Sequence, residues 1–190
     1  MRLLTTVASL LMFAWHSVAL ADETQAVQIM QEVVSVFETD LARMQRLAQR
    51  GVISPAKLQD REFELLEAQI QLAELQRDDQ AITEKLQRII SIREHQQASA
   101  HSLHKKNVIS DSQVVKANGD LLHARLRMAK HNRDQASMKA IIDQLVQLER
   151  EQLDRSERLA KQIGENRDQQ IAKQKLRLAT LLVEQHALTE

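Results

Sequence analysis

Apolar residues recur at alternating three- and four-residue spacing through most of this chain, and few folds accept that pattern. The stripe begins as Val27, Met30, Val34, Phe37, Leu41, Met44 and Ala48. It resumes as Leu65, Ala68, Leu72, Leu75, Asp79, Ile82, Leu86 and Ile89, with Asp79 its one polar member, and then as Val114, Ala117, Leu121, Ala124, Met128, His131, Gln135, Met138, Ile142 and Leu145, weakening at His131 and Gln135 without a shift of phase. Such spacing is the a/d seam of helices that pack along their length. The 190 residues hold one proline and three glycines, so little in them stops a helix.

Where helices do stop, the sequence is explicit. Arg43, Arg46 and Arg50 fill what reads as a last helical turn, facing the negative end of its dipole. Gly51 follows, the residue that takes a left-handed cap at least cost. Ser54 can cap the next helix, and Pro55 stands at its first position. The same stretch returns 56 residues later as Leu103, Asn107, Val108, Ile109 and Ser110, with Asn replacing Gly and with Gln113 completing a capping-box pattern. A degraded third copy follows as Arg155, Leu159, Gly164 and Asn166.

The chain from Glu23 onward therefore divides into three repeats, 23–78, 79–134 and 135–190. Identical pairs between the first two include Ser35/Ser91, Leu47/Leu103, Ile53/Ile109, Leu65/Leu121, Ala68/Ala124 and Arg77/Arg133. Fifty-six residues are eight heptads, so a coiled-coil register survives the passage between repeats. The unbroken register favours a single helix from about Ser54 to His104, folded antiparallel on the one that follows. The alternative is a kink near Asp79 and Gln135, giving three stacked hairpins. Either way the expected fold is all-α: long antiparallel coiled-coil hairpins around a thin Leu/Val/Ile/Ala/Met seam. Gly119 lies within a helix as a mild weakness.

Residues 1–21 differ from the rest. Arg2 is followed by the apolar stretch Leu3 to Val18 and by Ala19-Leu20-Ala21, the form of a signal peptide with cleavage after Ala21. An uncleaved membrane anchor is the alternative. The expectation is export to the periplasm as a single elongated helical domain, 22–190. With no cysteine, the chain must hold together by packing. Its formal net charge is zero, which gives no electrostatic case for nucleic acid. Beyond residue 21 the aromatics are Phe37 and Phe63, too few for base or sugar stacking.

The pattern Arg43-x3-Leu47-x6-Ser54 resembles the Arg–Leu–Ser motif at the tip of the α-helical hairpin of periplasmic adaptor proteins, the membrane fusion proteins of tripartite efflux and secretion systems. Pro55 to Asp60, Ala68 and Leu72 look like the descending arm of that hairpin. The resemblance implies a tip that docks on the periplasmic end of an outer-membrane channel, through Arg43, Leu47 and Ser54. The second copy offers Leu103 and Ser110 but has Ser99 in place of the arginine, and the third offers Arg155 and Leu159 with Asn166 in place of the serine. The resemblance covers the helical repeats only, since the strand-rich lipoyl and barrel domains of that family have no counterpart here.

Catalytic patterns are missing from the reading. His101 and His104 stand one turn apart, a spacing that could hold a metal, but Lys105 and Lys106 beside them disfavour a cation. Carboxylates are interleaved with lysine and arginine, as in Glu149-Arg150-Glu151, which supports a helix face. No nucleophile–base pair or phosphate loop is apparent. The sequence thus predicts a non-enzymatic interaction protein with no cofactor, no metal, no nucleic acid and no small-molecule substrate. Its expected partners are a protein, the channel above all, and further copies of itself. A holdase-type chaperone or a passive coiled-coil scaffold is the alternative. A holdase would line a groove with Val33, Val36, Ile90, Ile92, Val146 and Leu148.

Overall fold

The computed structural model describes the backbone of residues 4–163 and 168–188 and the side chains of residues 23–160 and 171–188. Helices occupy nearly all of it: α1 (Leu4–Gln49), α2 (Pro55–Gln76), α3 (Asp79–Lys105), α4 (Asp111–His131), α5 (Gln135–Ile163) and α6 (Asp168–Ala187), with no strand among the described residues. The all-α expectation holds. α1 starts at Leu4 and passes Asp22 without a break. The leader reading falls on side chains outside the described set. Among the described residues no helix is long and apolar enough to cross a membrane.

The single helix expected from Ser54 to His104 does not form. α2 ends at Gln76, and Arg77 takes the left-handed conformation with φ 56° and ψ 37°. The Asp78 N–H donates back to the Ala73 carbonyl at 2.9 Å and the Arg77 N–H to Glu74 at 3.1 Å, a Schellman closure. Asp78 then starts α3, its carboxylate accepting the Ala81 N–H at 2.9 Å. The same break recurs 56 residues on. Arg133 has φ 54°, the Asp134 N–H donates to the Ala129 carbonyl at 2.9 Å, and Asp134 accepts the Ser137 N–H at 3.0 Å. The helix breaks near Asp79 and Gln135. A non-glycine residue in the left-handed region costs roughly 1–2 kcal/mol. The buried side chains around the first break outweigh that, with Ile70, Ala73, Ile82 and Leu86 between 0% and 7% exposed.

Two compact units divide the chain, Met1–Lys85 and Leu86–Glu190. In the first, α1 and α2 run antiparallel. Glu38 meets Gln69 at 3.3 Å, Asp40 meets Arg61 at 3.6 Å and Glu23 meets Arg77 at 3.4 Å. Val34, Leu65 and Ala68 are buried between them, with Phe37, Leu41 and Leu72 packed alongside. In the second unit α3 pairs with α4 through Arg93–Asp120 at 3.5 Å and Glu94–Arg125 at 2.8 Å. α5 packs against both α4 and α6. Leu126 and Ala129 of α4, Met138, Ile142, Leu145 and Val146 of α5 and Leu181 of α6 form one buried cluster.

The core is wider than the expected seam. Leu66, Ile70 and Ala73 in α2 and Leu126 and Ala129 in α4 are buried on a second stripe beside it. Ile90, Ile92 and Val146, expected to line an open groove, are 6%, 6% and 4% exposed, so they are core residues. Leu148 is half-buried, while Val33 and Val36 stay exposed. Helix α4 needs the second stripe because it has a partner on each side, α3 and α5. Gly119 serves that contact: a Cβ there would meet Leu148 Cδ2 at 3.6 Å.

Candidate docking tips

At the Gly51 tip the backbone closes the helix end by itself. Gly51 has φ 71°, its N–H donates to the Ala48 carbonyl at 2.9 Å, and the Val52 N–H reaches the Leu47 carbonyl at 2.9 Å. Ser54 caps α2, its hydroxyl oxygen accepting the Lys57 N–H at 3.3 Å, with Pro55 at the first helical position. The hydroxyl proton of Ser54 is not used in that bond, so the group can still donate outward. Arg43, Arg46, Arg50 and Ser54 are exposed, and Leu47 is half-buried. Val52 stands 65% exposed at the apex. Arg43 and Leu47 are four residues apart on α1 and share a face.

The Asn107 tip has the same backbone but different side chains. Asn107 has φ 56°, its N–H donates to His104 at 2.8 Å, and the Val108 N–H donates to Leu103 at 2.9 Å. The Ser110 N–H donates to the Gln113 side chain at 3.0 Å, which is half of the capping box read from the sequence. Val108 is 65% exposed, equal to Val52, and Leu103 is 40% exposed. Ser110 is exposed, its hydroxyl 2.8 Å from that of Ser112. Here a side-chain clamp is added. His104 Nδ1 lies 3.2 Å from the Ile109 carbonyl and Nε2 lies 3.2 Å from Asp111, which also meets Arg155 at 3.4 Å. Among the described residues no group of three or more His, Cys, Asp or Glu could hold a metal ion. His101 bonds Asn118 at 3.2 Å instead.

No family model, no curated protein and no solved structure matches this chain.

Gly164 and Asn166, the turn of the third copy, lie outside the described residues. Arg155 is held by Asp111 across α5 and α4, and Leu159, 36% exposed, borders a groove with Ser112, Val115 and Gln174. Of the three tips, the first presents its predicted residues together on an exposed end. In the second, the clamp of His104 and Asp111 was missed by sequence reasoning. The signal was present: Ala48 and Pro55 of the first copy become His104 and Asp111 in the second, the two positions that flank the turn.

Proposed function

We propose that this chain is a non-enzymatic, exported helical interaction protein of adaptor type. In this reading antiparallel coiled-coil hairpins, one from each 56-residue repeat, carry docking tips. The Gly51 tip meets an outer-membrane channel in the periplasm after cleavage following Ala21. The observation that supports it most is the exposure of Arg43, Ser54 and Val52 around a tip closed by its own backbone. A rigid end with an exposed cation, a hydroxyl donor and an apolar apex suits a protein groove lined by carbonyls and carboxylates. The rival holdase reading loses Ile90, Ile92 and Val146, half of its six groove residues, to the core.

The test is a photo-crosslinker placed in cells at Arg46 and, separately, at Lys105. Capture of an outer-membrane channel from Arg46, lost on Arg43→Glu with Leu47→Asp, is the expected result. Self-crosslinks alone, or an assortment of unrelated clients, would overturn the adaptor reading in favour of the scaffold or the holdase.

A further inference from the structure

Two apolar faces that recur from repeat to repeat are buried in the interior helices and bare on the terminal ones. On α5, Leu145 is 1% exposed and Leu148 half-buried, and this side of the helix packs on α4. Their counterparts 56 residues earlier, Ile89 and Ile92 of α3, are 2% and 6% exposed. A further 56 residues back stand Val33 and Val36 of α1, which are 37% and 68% exposed, with Ile29 one turn before them at 55%.

The complementary face behaves in the same way. On α4 the residues toward α5 are Gly119, Leu122 and Leu126. Their counterparts in α2 are Phe63, half-buried, and Leu66 and Ile70, 6% and 0% exposed. Leu178 and Leu181 of α6 pack inward on α5 and stand 57 residues after the buried pair Leu121 and Ala124 of α4, which sets the register of the last helix. Gly119, Leu122 and Leu126 map to Leu176, Ala179 and Val183. Leu176 and Val183 are each 70% exposed, and Ala179 is exposed.

We infer that α6 of one copy docks on α1 of a second copy, repeating between chains the antiparallel α4–α5 packing found within one. α6 fits α1's bare face because the equivalent face of α5 is covered by α4, the helix equivalent to α6. The bulk is redistributed in a compatible way. Gly119, Leu122 and Leu126 of α4 become Leu176, Ala179 and Val183 of α6, so bulk moves toward the start of the helix while its total is kept, and Leu148 is matched by the smaller Val36. The contact is heterologous, with a different patch on each partner, and it propagates into a ring or an open array. It does not rest on channel docking.

The experiment uses purified protein alone, expressed from the full chain and studied as the cell leaves it. Val33→Glu with Val36→Glu removes one face, and Leu176→Glu with Val183→Glu removes the other. Each pair of exposed substitutions is expected to weaken self-association roughly a hundredfold, about tenfold per side chain, with helicity and melting unchanged. The decisive sample is an equimolar mixture of the two double variants. Each keeps one intact face, so the mixture forms dimers and stops there in sedimentation. Because the chain has no cysteine, Val36→Cys mixed with Leu176→Cys gives an independent check: the mixture forms a heterodisulfide and neither variant alone does. A wild-type protein that stays monomeric at every concentration overturns the inference. So does either double variant that associates alone as tightly as the wild type, or a cysteine pair that fails to join. Such a failure leaves the channel-capture result untouched.

Discussion

Gly51 and Arg133 do the same geometric task with opposite costs. Both hold a left-handed cap, but only glycine does so without crowding its own Cβ against the backbone. A Cβ at Gly51 would meet nothing within 4 Å, so Gly51→Ala tests conformation alone. It is expected to lower stability by about 1 kcal/mol in chemical denaturation. Arg133→Gly should do the reverse, raising stability by up to about 1 kcal/mol once the greater freedom of glycine in the unfolded chain is counted. A loss of stability on Arg133→Gly would show that its side chain contributes more than the strain. At the next residue, the Ser137 hydroxyl, followed by the Ser137 N–H, holds the Asp134 carboxyl below its ordinary range. A depressed carboxyl favours the folded state above its unfolded value, about pH 4, and that contribution fades as pH falls through the folded value. The stability gap between wild type and Asp134→Asn is therefore expected to be full above about pH 5 and to close in acid. A gap independent of pH would refute the capping role.

At the scale of elements, four helix ends share one hydrogen-bond scheme, at Gly51, Arg77, Asn107 and Arg133. They differ in what the side chains add. The Asn107 end carries the His104 clamp, which joins the Ile109 carbonyl and Asp111 across the turn. His104→Ala is expected to speed hydrogen exchange at Val108 to Ser110 while leaving global melting within about 0.5 kcal/mol, as suits a partly exposed side-chain contact. The Gly51 end has Ala48 at the corresponding position and relies on Ser54. Ser54→Ala should cost about 1 kcal/mol through the lost cap. It should also weaken channel capture, if the hydroxyl donates to the partner as proposed.

For the molecule as a whole, burial depends on where in the chain a repeat position falls. Leu145 and Val33 are counterparts, yet one is 1% exposed and the other 37%. Leu145→Ala is expected to cost about 2–5 kcal/mol, whereas Val33→Ala in the dissociated protein should cost under about 0.5 kcal/mol. Equal losses at the two sites would mean that the Val33 face of α1, on the side away from α2, is covered within its own chain.

Much was settled by local chemistry and is legible in the residues alone. Periodicity determined that the chain is helical and which residues form the main seam, because an a/d stripe has no other stable use. Gly51, Ser54, Pro55, Asn107 and Ser110 determined two helix ends, because each cap is made within a few residues. Tertiary structure decided the rest. The breaks at Arg77 and Arg133 go against local preference. They form because burial around each break outweighs the strain of one residue, a balance that no window of sequence contains. The second apolar stripe through Leu66, Ile70, Leu126 and Ala129 was hidden for the same reason. Which side of a helix is covered depends on how many neighbours it has, and a repeat carries the same letters whether or not a neighbour is there.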